Sequence, residues 1–340
     1  MKKFILLSIL FTAFQGFSQI PSGYYDDAEG LNGDALRSAL QEIIEDHSSQ
    51  SYSSLWTHFQ STDQKPNGEV WDMYSDNPDG PEPFVFQFGS DQCGNYGGEG
   101  DCYNREHSFP KSWFGDQSPM NTDLFHLYPT DGYTNGIRSN HPYGETDSPT
   151  YTSENGSKRG TSSVTGFVGT VFEPIDEYKG DFARTYFYML TRYMDQVDGW
   201  SSFMLQDDDF SAWALTMLME WHEEDPVSQK EIDRNNAVYD IQNNRNPFID
   251  DPEFVDLIWG EPIGVEEAAD NDFDMWWSEG TVHFSDNVAR AELFVYSTTG
   301  QLVMKKTVSG NSVNQLDLDN GMYIIQLHTG STFEVLRVVR

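Results

Sequence analysis

The hydrophobic period of this chain changes partway along it, and that change constrains the fold more than any other feature. Before about residue 262 helical spacing dominates. Leu36, Leu40, Ile43 and Ile44 recur at helical intervals and predict a helix over about 34–46. Further helices are expected over 181–194, 209–222 and 227–242, the last opening just after Pro226. From about 280 the pattern is purely β. Glu292-Leu293-Phe294-Val295-Tyr296 and Gln301-Leu302-Val303-Met304 flank a hairpin turn at Thr298-Thr299-Gly300. Asn320-Gly321 turns the chain into Met322–Leu327, and Glu334–Val339 is a last strand. Between the two patterns lies Glu266-Glu267-Ala268-Ala269-Asp270-Asn271-Asp272, which reads as an acidic linker. The predicted architecture is α+β. It has a mainly helical domain over 19–262, a linker over 263–272 and a small C-terminal β-sandwich over 273–340.

Within the first part, Phe84–Phe88 is a short strand candidate, whereas 60–83 and the Ser/Thr/Gly-rich 141–165 read as loops. Residues 1–18 have the form of a secretory signal. Lys2 and Lys3 precede a mostly apolar run, Phe4–Phe14, that is too short to span a bilayer. Gly16 and Ser18 are small residues at the −3 and −1 positions of a cut before Gln19. No other apolar run approaches transmembrane length, so no membrane insertion is expected. In an exported protein, Cys93 and Cys102 are expected to form a disulfide across a glycine-rich loop, just upstream of Glu106-His107.

The chemistry concentrates in Asn104–Trp113 and Asn135–Asn140. A histidine beside a carboxylate offers a general base and an oxygen ligand on one short segment, and an asparagine further on offers a second ligand. Mg²⁺ keeps several waters, so one carboxylate and one amide oxygen can suffice to hold it. Glu106 and Asn135 are the expected metal ligands and His107 the expected base. Activity should then fall below about pH 6.5, where an ordinary imidazole protonates. Adjacent strand residues point to opposite faces. Glu106 and His107 therefore need an irregular backbone or a bridging water to share one site, and Pro110 fits a bend there. Each residue alone has a blander reading: a surface Glu-His pair, a turn asparagine before Gly136, an ion-paired Arg138. Their conjunction points to phosphodiester hydrolysis. His222-Glu223-Glu224-Asp225-Pro226 lacks the second histidine of a zinc-protease helix, and no G-x-S-x-G occurs.

The joint pattern resembles the bacterial endonuclease I family, secreted or periplasmic nucleases built on a ββα-metal (His-Me) finger. The resemblance runs through Cys102–Phe114, Asp123–Gly132 and Asn135–Asn140. It continues in Lys179–Arg184, Trp221–Val227, Arg234-Asn235 and Asn244–Asp250. It covers about 25–260. It implies His107 as base, Glu106 and Asn135 as ligands of Mg²⁺ or another divalent cation, and Arg138 as a candidate for the arginine that holds the cleaved phosphate. Arg105 and Arg184 are other candidates. Phe125 stands where some members carry a second histidine and is assigned no role. The implied activity is sequence-nonspecific cleavage of DNA, or of RNA, to 5′-phosphate products. Residues 273–340 resemble the C-terminal sorting domain of type IX secretion substrates. That resemblance rests on Val295–Gln301, Leu316–Tyr323 and the closing strand up to Arg340. It implies the type IX machinery as a partner and an extracellular or cell-surface location.

Charge runs against a nucleic-acid substrate. The 55 Asp and Glu against 20 Lys and Arg give a net charge of −35, which repels polyanions at long range. The expectation is that Arg105, Lys111, Arg138, Arg184, Arg234 and Arg245 line the cleft and offset this locally. The rival reading is a noncatalytic acidic surface module that binds calcium or glycans.

Overall fold

In the computed structural model, Leu36, Leu40 and Ile44 lie on one buried stripe of helix α1, Gly33–Ile44. The structure describes residues 20–78, 80–260, 275–278, 281–297, 302–313, 316, 318, 321–329 and 332–339. The expected signal segment 1–18 and linker 263–272 lie outside them. The chain divides into two units, residues 1–260 and 261–340, each with its own hydrophobic core. Helix and sheet are mixed, as expected.

The first unit follows α1 with a short helix, α2 (Leu55–Thr62), whose last turn takes up the start of the expected loop 60–83. Strand β1 (Tyr103–His107) pairs antiparallel with β2 (Leu127–Asp131), and helix α3 (Gly132–Arg138) begins at the next residue. The expected strand over 84–88 does not form. Phe86 is buried singly beside Val70 and Tyr103, and its carbonyl accepts the Val70 amide at 2.9 Å. Conversely, the expected loop 141–165 contains β3 (Ser148–Thr152) and β4 (Lys158–Thr161). With β5 (Thr170–Glu173) they form a three-stranded antiparallel sheet. β3 is exposed almost throughout, so it has no apolar alternation for a sequence reading to find.

Helix α4 (Lys179–Arg192) is the axis of the unit, buried along its whole length. A two-residue hairpin, β6 (Leu205–Gln206) and β7 (Asp209–Phe210), takes the start of the expected 209–222 helix, which begins as α5 at Ala212 and ends at Glu224. Helix α6 (Gln229–Gln242) opens with a capping box. The Ser228 hydroxyl accepts the Glu231 amide and the Glu231 carboxylate accepts the Ser228 amide. Short helices α7 (Pro247–Asp250) and α8 (Glu253–Trp259) complete the unit. Among the described residues, no helix is long and apolar enough to cross a membrane.

The second unit departs from the expected two-sheet sandwich. Among its described residues it is one antiparallel sheet of five strands: β8 (Met275–Ser278), β9 (Thr281–Ser297), β10 (Leu302–Val313), β11 (Met322–Thr329) and β12 (Thr332–Val339). The long β9 explains the difference. Its first residues pair with β8 and its last with β11, while β10 follows it with register shifts that bend the ribbon. The sheet curls into a half-barrel around Val282, Leu293, Val295, Ile325 and Leu327. The expected turn at 298–300 lies outside the described residues.

Candidate active site

Asp131 ends β2 and caps α3, its Oδ1 accepting the Thr134 amide at 2.7 Å. With no loop between them, α3 folds straight back onto the strand pair. Alternation along β1 then sorts the side chains. Asn104 and Glu106 meet α3, whereas Arg105 and His107 meet Tyr52 on the other side.

On the α3 side, the Asn135 amide donates to Asn104 Oδ1 at 2.7 Å. One turn later Arg138 Nη1 donates to Glu106 Oε1 at 2.8 Å. The Arg138 side chain is fully buried. It also donates to the carbonyls of His107 at 2.9 Å and Ser108 at 2.5 Å. Tyr74 Oη donates to the same Glu106 oxygen at 3.1 Å and lies 2.9 Å from the Tyr143 hydroxyl. Tyr186 Oη donates to Ser108 O at 2.9 Å. Burial raises the Glu106 carboxyl to about 7, against the lowering pull of Arg138 and Tyr74.

On the other side, His107 is 5% exposed. Its Nε2 lies 3.1 Å from the Asn121 carbonyl oxygen. A carbonyl only accepts, so Nε2 carries the proton and Nδ1 keeps the lone pair. Burial, then the neighbouring His126, lowers the imidazole to about 3, so it is neutral near pH 7. The Tyr52 ring stacks at 6.1 Å and 12°. Arg105 lies over the same ring at 3.7 Å and over Trp56 at 4.3 Å. It donates to Tyr52 O at 2.7 Å, and no described carboxylate pairs with it.

The structure thus brings Glu106, Asn135 and Arg138 together and sets His107 on the opposite face of a strand that stays regular through that residue. The expected irregular backbone is absent. Arg138 Nη1 and Nη2 donate to Glu106, to two carbonyls and to the Tyr186 hydroxyl, and the side chain is fully buried, so it supports the site from beneath and has no surface for a phosphate. Arg184, Arg234 and Arg245 likewise face the core and do not line a cleft. Arg184 pairs with Glu231 at 2.5 and 2.8 Å. Arg234 pairs with Asp63 at 2.8 Å, and Arg245 with Asp250 at 2.5 Å. Lys111 is exposed and paired with Asp116 at 2.6 Å.

The donor set fits a hard cation. Both side-chain bonds to Glu106 end on Oε1. Asn104 holds the amide nitrogen of Asn135, which leaves its oxygen without a described donor. One carboxylate and one amide oxygen suit a cation that retains waters. Among the described residues, no three His, Cys, Asp or Glu side chains form a closed cage.

Sequence reasoning missed Tyr52, Tyr74, Asn121, Tyr143 and Tyr186, which come from distant segments. It also missed what the Cys93–Cys102 loop does. The disulfide is present, with Cα atoms 5.7 Å apart. The loop lays Tyr96 against the glycine face of α3, where a Cβ at Gly132 would meet the Tyr96 ring at 2.7 Å. The Gly100 amide donates to Asp131 Oδ2 at 2.9 Å. The loop therefore braces the helix that carries Asn135. Gly132 and Gly136, one turn apart on α3, were the available signal.

Residues 32–253 match the family model described as Endonuclease I, and residues 278–339 match that of a Secretion system C-terminal sorting domain. An extracellular ribonuclease of Bacillus amyloliquefaciens is 37% identical over 244 residues, covering 69% of this chain and 78% of the relative. The extracellular ribonuclease of Bacillus subtilis (strain 168) is 35% identical with the same coverage. Endonuclease-1 of Buchnera aphidicola subsp. Baizongia pistaciae is 30% identical over 166 residues, 48% of this chain and 58% of the relative.

Proposed function

The chain belongs to the endonuclease I family and carries a secretion sorting domain, and on that premise we propose that it hydrolyses phosphodiester bonds within nucleic acid using one divalent cation, leaving 5′-phosphates. The sorting domain marks a secreted or cell-surface protein, and type IX export is the proposed route. DNA and RNA both belong to the reading. Two relatives are named ribonucleases and a third an endonuclease.

One observation carries the mechanism: His107 is a neutral imidazole whose Nε2 is tied to a carbonyl, leaving Nδ1 as a base. In the proposed reaction His107 Nδ1 takes the proton of the attacking water, and because the strand stays regular, a bridging water would have to link this base to the cation site on the opposite face. Glu106 and Asn135 would hold Mg²⁺, which when bound would stabilise charge at the phosphate and on the departing 3′ oxygen. Arg138 fixes the Glu106 carboxylate and the backbone carbonyls of His107 and Ser108. Arg105 is the proposed phosphate contact, because it shares a strand face with His107 and rests on two rings without a carboxylate partner. The β1–β2–α3 order supports reading the site as a ββα-metal finger.

Plasmid DNA and single-stranded RNA incubated with the purified full chain test this. Cleavage is expected with Mg²⁺ and not with EDTA, and His107→Ala should lower turnover by roughly 10²–10⁴-fold. Absence of cleavage under every divalent cation would favour the noncatalytic acidic module. Near-parental turnover in His107→Ala at saturating Mg²⁺ would refute the assigned base.

A further inference from the structure

Among the described residues, Val168 and Phe203 are the most exposed large apolar side chains, at 94% and 74%. Both line one cavity of about 600 Å³, together with Trp113, Asn140 and His141. Phe203 is not a loose end. It packs on Phe167 at 5.7 Å, and Phe167 stacks on Trp213 at 4.5 Å and 14°. The Trp213 indole N–H donates to the Phe203 carbonyl at 3.1 Å. An aromatic ladder with one end held open to solvent marks a binding surface.

Charge distinguishes this cavity. No Asp or Glu lines it, in a chain that has 55 of them. A cavity of 710 Å³ has Glu145 and Glu220 in its lining, and one of 590 Å³ has Asp26, Glu29 and Asp251. Burial, with Arg159 and Arg138 close by, depresses the His141 imidazole. The lining is continuous with the candidate site. Ser112 and Trp113 lie on the segment that follows His107, and Asn140 follows the end of α3. The Asn140 amide lies 3.4 Å from the Ser112 hydroxyl and joins the two segments.

We propose that this cavity receives an unpaired nucleobase of the strand being cut, with Phe203 stacking on the base and Asn140 and His141 meeting its polar edge. This rests on the nuclease reading and deepens it. The preferred substrate is a single-stranded stretch, because a duplex keeps its base faces covered. Aromatic stacking tolerates every base, which fits cleavage without sequence preference.

The test uses the full-length protein in EDTA with a short fluorescent oligothymidylate and, separately, a duplex of the same length. Phe203→Ala should weaken single-strand binding by roughly 5- to 50-fold, and Val168→Asp should weaken it through repulsion. Duplex binding should stay within about twofold, since the duplex presents no base to stack. Both side chains are mostly solvated, so thermal melting should shift only slightly, through the lost contact of Phe203 with Phe167. With Mg²⁺, KM for the single strand should rise in Phe203→Ala while kcat holds. If the parent cleaves nucleic acid and Phe203→Ala binds and cleaves the single strand as the parent does, this inference is wrong and the nuclease reading stands. If the parent cleaves nothing yet binds the oligothymidylate through Phe203, the nuclease reading fails and the base site stands. A Phe203-dependent dimer, or Phe203-dependent binding of a soluble glucan in place of the oligonucleotide, would also overturn it.

Discussion

The two units bury different things. The first places Arg138 against Glu106, Arg184 against Glu231, Arg234 against Asp63 and Lys230 against Asp181 inside its core. The second encloses Val282, Leu293, Val295, Ile325 and Leu327, and among its described residues the ion pair Lys305–Glu292 is half exposed on both sides. A buried ion pair adds little net stability over well-packed apolar residues of the same volume. What it supplies is direction, because donors and acceptors fix one another's positions. A reacting group needs such placement, whereas a sheet that serves as a sorting module needs only to fold. Of these pairs, Arg138–Glu106 touches the candidate site directly, and it is the one on which this contrast can be tested.

The largest expected effect breaks this contrast at its centre. Arg138→Met leaves Glu106 buried without its guanidinium and should destabilise the first unit by about 3–5 kcal/mol. Adding Glu106→Leu should restore much of that stability, since the stranded charge is gone, but not activity. Chemical denaturation and plasmid cleavage on the single and double variants check both halves. If the double variant is as unstable as the single one, the pair is structural and the contrast fails.

The next effect lies in the other unit. Ile325→Ala deletes a buried side chain between two paired strands and should cost about 2–5 kcal/mol. It should act on the second unit alone. Limited proteolysis should show the C-terminal region cleaved sooner while nuclease turnover stays at the parental level. Loss of turnover would show that the nuclease depends on the sorting module.

How much of this was legible in the sequence follows the same division. Helices α1, α4, α5 and α6 were readable because their apolar residues repeat locally. In the second unit parts of β9, β10, β11 and β12 were readable from alternation, but not β8, the length of β9 or the single curled sheet, which depends on one long strand pairing with three others. The motif residues of the site were readable as a set. Their directions were not. Membership in a motif does not say that Arg184, Arg234 and Arg245 face inward, nor that Tyr74 reaches Glu106 from far along the chain, with Tyr143 behind it. Exposed β3 and the acid-free cavity left no periodic signal at all.

A smaller effect concerns pH and separates the two faces of β1. His107, lowered to about 3, is neutral across the working range, so the acid limb expected near pH 6.5 from an ordinary imidazole should be absent. Glu106, raised to about 7 by burial in the metal-free protein, should set the limb instead. Below its pKa the carboxylate is protonated and cannot hold a cation, so apparent Mg²⁺ affinity should fall roughly tenfold per pH unit. Proton and cation compete for one group, so raising Mg²⁺ should move the limb to lower pH. Rate profiles at low and high Mg²⁺ decide this. A limb that stays fixed as Mg²⁺ rises would place the controlling titration elsewhere than Glu106.

The smallest effect sets the baseline for the comparison. Lys305 Nζ lies 3.2 Å from Glu292 Oε2 across the β10–β9 pair, with both side chains half in water. Lys305 also sits 4.7 Å from the centre of the Phe294 ring. Water screens the charges, and fixing two long side chains costs entropy that offsets most of the attraction. Lys305→Ala should therefore shift the second unit's stability by less than about 1 kcal/mol. Any residual cost should persist in high salt if it comes from the ring contact and vanish if it comes from the ion pair. Denaturation of Lys305→Ala and Lys305→Met at low and high salt separates the two, since the methionine keeps contact with the ring but carries no charge. A cost approaching that of Arg138→Met would mean that exposure does not divide ornamental charges from necessary ones here. The contrast between the two units would then have to rest on geometry alone.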